Sequence, residues 1–180
     1  GYLSPAAHSE EARRDERRRR SEELTSAAVE GAREALPSER PWGVYYHREL
    51  LTRSVEGRRV DVLTISSTEG MLPAHVREPL LEDVRLLPDT HDITARPRRF
   101  TGKKLFFVSS RVHPGETPAA FVVDGLLELL LREHDPQAKA LRQAFVFKIV
   151  PMLNPDGVAA GCFRADPTSG ANLNRMYDGA

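Results

Sequence analysis

Between Lys103 and Val150, apolar residues change from a continuous run to helical spacing and back. Leu105, Phe106, Phe107 and Val108 are unbroken, which predicts a strand buried on both faces. Phe121, Val122, Leu126, Leu129 and Leu130 then recur on one helical face, and the pattern ends near Glu133. Thr117 is placed to cap that helix, with Pro118 at its first position. Asp135 and Pro136 repeat the signal for a second short helix ending around Gln143. Phe145, Val146, Phe147, Ile149 and Val150 predict another buried strand. Strand, helices, strand at this spacing is a crossover unit, so the predicted fold class is α/β, a largely buried mixed sheet flanked by helices.

Upstream, two strand-like runs cover Val44 to Ser54 and Arg59 to Ser66, with Glu56 and Gly57 suited to a tight hairpin turn between them. Ser67 to Arg99 reads as loop, with a short helix through Leu80 to Leu87 weakly indicated. Residues 9–36 are rich in Glu, Arg and Ala and predict a charged helix with a thin apolar face, ended by Pro37 and Pro41. The chain thus divides into a helical lead-in, residues 1–40, and a mixed α/β part, residues 41–180.

Composition adds exclusions. Basic and acidic residues balance at 26 each, which argues against a dedicated nucleic-acid binder. Arg17 to Arg20 are flanked by Glu and Asp and read as a solvated helix surface. No apolar run approaches the ~20 residues that span a bilayer, and no secretory signal opens the sequence. The lone Cys162 forms no internal disulfide, in keeping with a reducing compartment.

The chemistry follows the first buried strand. His113-Pro114-Gly115-Glu116 spaces an imidazole and a carboxylate three residues apart, and both are good Zn²⁺ donors at ~2.0–2.2 Å. Gly115 lets the backbone turn between them. Ligand sites in α/β sheets lie beyond the carboxyl ends of strands, where this segment falls. The neighbouring strand runs into Asn154-Pro155-Asp156-Gly157, followed by Arg164 and by Asn172-Leu173-Asn174-Arg175.

In that order, these motifs resemble the zinc metallocarboxypeptidases related to carboxypeptidase A, and most closely the cytosolic carboxypeptidases. The likeness runs from about Val44 to Tyr177. Tyr45 to Leu51 and Phe100 to Lys104 look most like the fifth subtype, associated with removing branch-point glutamates from tubulin. The resemblance implies that His113 and Glu116 are the first two ligands of one zinc per complete catalytic domain. It implies that Arg164 stabilises the oxyanion, and that Asn174 and Arg175 hold the substrate's terminal carboxylate. Asn154 and Asp156 are expected to shape the site.

The resemblance also implies a third ligand, a His, and a general base, a Glu, both downstream of Asn174-Arg175. No His follows His134, and after Arg175 the only acid is Asp178, so both groups are absent from these 180 residues. His8, His47, His75, His91 and His134 lie in the wrong order and read as surface or loop histidines. The expected function is deglutamylation of protein tails such as tubulin by a cytoplasmic, microtubule-associated enzyme, of which this chain is an inactive fragment. The alternatives are a non-catalytic module binding glutamylated tails, or an acylamino-acid hydrolase of the desuccinylase or aspartoacylase type. The cluster Arg96, Arg98, Arg99, Lys103 and Lys104 reads as a solvated basic loop in preference to an attractor of acidic tails.

Overall fold

The structure is a computed structural model that describes residues 43–80 and 95–177. The helix expected over 9–36, the boundary at residue 40 and most of the short helix over 80–87 lie outside the described residues.

Alternating residues of strands β1 (Val44–Arg53) and β2 (Arg59–Ser67) build an antiparallel hairpin, with Gly57 turning at φ 81°. Positive φ costs glycine nothing, which suits it to this turn. Strand β3 (Lys104–Ser109) leads into helix α1 (Thr117–Leu131), then helix α2 (Pro136–Ala144) and strand β4 (Phe145–Val150). β3 and β4 pair in parallel, β4 pairs antiparallel with β2, and the sheet order is β1-β2-β4-β3. A short helix α3 (Pro155–Ala159) and a 3₁₀ turn (Leu173–Arg175) follow. The crossover unit is therefore present, and among the described residues no helix is long and apolar enough to cross a membrane.

The core lies between one face of the sheet and the two longer helices: Leu63, Ile65, Phe147 and Ile149 meet Val123 and Leu130. Ile65, Leu130 and Ile149 are wholly buried, each contributing roughly 1.5–3 kcal/mol by leaving water. The buried stripe of α1 is Val123, Leu126, Leu127 and Leu130, the 3-4 spacing that faces one side. Phe121 and Val122 fall off that stripe and are exposed, contrary to the expectation from sequence. The helix also starts one residue early, so Glu116 occupies the cap position and Thr117 is already helical. Asp135 caps α2 as expected, accepting from the amides of Gln137 and Ala138.

β3 departs furthest from expectation. Leu105, Phe106 and Phe107 are 66%, 47% and 61% exposed, because among the described residues β3 pairs on one side only, with β4. Phe106 leans on Phe145 and Phe147 on the helix side, while Leu105 and Phe107 alternate to the other.

The basic cluster is only in part a solvated loop: Lys104 is exposed, whereas Arg96, Arg98 and Lys103 are drawn into the fold. Arg96 is 6% exposed and pairs with Glu49 at 2.5 Å, and Arg98 donates to the Leu72 carbonyl. The Lys103 ammonium is drawn in by the Ser66 and Ser67 hydroxyls and by the carbonyls of Ser67 and Arg142, at 2.7–3.0 Å. Burial lowers its pKa to about 8.

Candidate metal centre

At the carboxyl end of β3 the chain turns sharply. Arg111 takes φ 58°, the left-handed region a non-glycine residue enters only when its surroundings hold it there. Its side chain folds back so that Nε donates to the Pro114 carbonyl at 3.1 Å. Asn154 N donates to Arg111 O and Leu153 N to Ser110 O, so the loop after β3 is stitched to the loop after β4. Gly115 donates to the Phe163 carbonyl at 2.8 Å, and a Cβ at Gly115 would stand 2.7 Å from that oxygen. Glycine is required here by close backbone approach.

This loop brings His113 and Glu116 together. His113 is 5% exposed, and its Nδ1 lies 2.8 Å from Glu116 Oε1, whose side chain is more than half exposed. On the other side of the ring, Nε2 lies 3.0 Å from Asn172 Oδ1. That amide oxygen also accepts the Asn174 backbone N–H at 3.1 Å, which fixes its orientation. It can only accept, so Nε2 carries the hydrogen. Nδ1 of a neutral imidazole then presents a lone pair directly to the Glu116 carboxylate. Two acceptors at that distance repel unless a cation, a proton or a metal ion, stands between them.

The donor set therefore fits zinc as two ligands of a larger set. Bonds of ~2.1 Å at a tetrahedral angle place two donors about 3.4 Å apart, so Glu116 need withdraw by only roughly half an ångström. Its exposure leaves it room to do so. Among the described residues, no group of three His, Cys, Asp or Glu donors is assembled.

The remaining candidates are placed around this pair to different degrees. Arg164 follows Phe163, whose carbonyl holds Gly115, and its guanidinium is exposed without a hydrogen bond or ion pair among the described residues. Asn174 and Arg175 form the 3₁₀ turn capped by Asn172, which ties them to His113. Arg175 is exposed and donates to the Asn174 carbonyl at 3.0 Å. Asn154 caps α3 by accepting from Gly157 N at 2.8 Å, and Asp156 is 2% exposed. His47 is engaged away from the pair: its Nε2 sits 2.9 Å from the Ala95 carbonyl. Asn172 is the residue that sequence reasoning passed over as a role-bearing group. The signal available was its place two residues before Asn174, which is too common a spacing to single it out.

Residues 45–180 match the family model described as zinc carboxypeptidase. Cytosolic carboxypeptidase-like protein 5 of Homo sapiens is 58% identical over 134 residues, 74% of this chain and 14% of that protein. Its counterpart in Danio rerio is 56% identical over 137 residues, 76% of this chain and 15% of that protein. The chain thus spans 14–15% of the length of these curated relatives. Among solved structures, a metallo-carboxypeptidase from Burkholderia cenocepacia superposes with a TM-score of 0.53 at 30% identity, covering 86% of this chain and 32% of that one.

Proposed function

The chain belongs to the zinc carboxypeptidase family, and from that membership we propose that the protein carrying it is a zinc-dependent metallocarboxypeptidase that removes glutamates from protein tails such as those of tubulin. The observation that carries the reading is the facing of His113 Nδ1 and Glu116 Oε1 at 2.8 Å, with the other ring nitrogen engaged by Asn172. The glutamate preference and the tubulin partner rest on the subtype resemblance. The cytoplasmic, microtubule-associated setting is supported by relatives named cytosolic.

His113 and Glu116 would hold the metal from this chain. Held there, zinc would supply Lewis acidity toward a peptide carbonyl and a lowered pKa for water. Arg164, an exposed guanidinium beside the loop, offsets the negative charge that develops on the scissile carbonyl oxygen. Asn174 and Arg175 receive the substrate's terminal carboxylate, and that contact makes the activity an exopeptidase one. The resemblance calls for a third ligand, a His, and a general base, a Glu, downstream of Asn174-Arg175; the last His of these 180 residues is His134.

The test is glutamate release by the full-length protein from a peptide bearing a glutamate branch or glutamate tail. Release that stops on chelation, returns with added zinc and is lost in His113→Ala supports the reading. A zinc-loaded protein that binds such tails and releases nothing overturns it.

A further inference from the structure

The hairpin tip between β1 and β2 is about a hundred residues away in sequence from the turn after β4, yet the two are locked together through one buried carboxylate. Asp156 Oδ1 accepts from the Ser54 hydroxyl at 2.6 Å and from Arg58 Nη1 at 2.9 Å, and Oδ2 accepts from the Glu56 amide at 3.0 Å. The tip is itself closed: Ser54 N donates to Arg58 O, Gly57 N to Ser54 O and Arg58 N to Ser54 Oγ. Burial opposes the charge on Asp156, but Ser54, the Glu56 amide and Arg58 together hold its carboxyl below the usual range. A carboxylate with its oxygens satisfied from one rigid turn is a clamp with little freedom.

What the clamp grips is the support of the candidate metal loop. Asp156 sits in the first turn of α3, two residues after Asn154, whose backbone N–H holds Arg111 O. Gly157 follows, and a Cβ there would strike Pro114 and the Asn154 amide, so α3 abuts the His113–Glu116 loop without a gap. The Gly157 carbonyl accepts from Cys162 N, and Phe163 in turn holds Gly115. Ser110 N donates to Val150 O, and the other backbone tethers of the loop from this side, to Leu153, Asn154 and Phe163, lie in the stretch that Asp156 fixes to the hairpin.

We propose that Asp156, held by the β1–β2 tip, is a positioning residue for the metal loop, setting how firmly His113 and Glu116 are presented to the ion. The proposal rests on the zinc reading above. It touches no substrate and acts only through the backbone of residues 110–115 and 153–157.

The experiment uses the full-length protein with Asp156→Asn, and with Ser54→Ala and Arg58→Ala, partly or fully exposed positions that keep a folded variant in hand should Asp156→Asn not fold. Zinc affinity is measured by competition with a chelating dye. Amide hydrogen exchange at Gly115 and Glu116 is followed in the metal-free protein, and kcat and KM are measured separately. Expected are zinc binding weakened several-fold in Asp156→Asn, less than the roughly 10–100-fold found for groups that hydrogen-bond a ligand directly, faster exchange at Gly115, and kcat lowered with KM nearly constant. Ser54→Ala should move each readout the same way by less, and should add nothing in the Asp156→Asn background. Zinc affinity and Gly115 exchange within twofold of wild type in all variants would overturn the proposal. A wild-type protein that binds no zinc at all would instead sink the metal reading on which it stands.

Discussion

Asn172 offers one amide oxygen to two donors, and one of them is the buried His113 ring. Replacing it with Leu removes the acceptor that fixes the tautomer, and zinc affinity of the full-length protein should fall about 10–100-fold. Asn172→Asp keeps an acceptor and should lie near wild type; equal losses in both variants would argue against an orienting role. At Gly115, substitution by Ala puts a methyl 2.7 Å from the Phe163 carbonyl, so the loop must shift. A loss of about 1–3 kcal/mol in stability is expected, measured by urea unfolding. Lys103 gives a pH effect of definite sign. Folded, it titrates at about 8 against an ordinary 10.5, so between those values the unfolded chain holds the extra proton. Stability therefore rises with pH across that window and is flat below it. The urea midpoint should climb less from pH 7.5 to 9.5 in Lys103→Met than in wild type; identical slopes would show that Lys103 does not titrate there. His113 and Glu116 were legible in sequence because the pair is local. Asn172 was not, since it meets His113 across 59 residues.

At the scale of elements, α1, α2 and the hairpin were readable because their signals are local. Pro136 after Asp135 starts α2, and Gly57 turns the hairpin. β3 misled because a run of Leu105 to Val108 reports what a strand prefers and says nothing of whether a neighbour is present on its outer side. Here that side is unpaired among the described residues, leaving a free backbone edge between apolar side chains on both faces. Such an edge is a template for pairing. Residues 1–180 expressed alone should self-associate, and Phe107→Lys should shift them toward monomer in sedimentation velocity. A monodisperse wild-type chain at high concentration would contradict this.

For the whole molecule, the site is a meeting of four segments: the loop after β3, the turn after β4, the Phe163 stretch and the Asn172 turn. Their order along the chain was visible as motifs, whereas the clamp from the hairpin tip to Asp156 was invisible, because nothing in Ser54-Val55-Glu56-Gly57-Arg58 announces a partner so distant. The central claim is that His113 and Glu116 carry a zinc ion in a metallocarboxypeptidase. Its most direct test is the zinc content of the purified full-length protein after dialysis, compared with His113→Ala and Glu116→Ala. About one zinc per wild-type molecule, with little retained in either variant, is the expected result. One zinc retained in both variants would place the metal elsewhere and contradict the account.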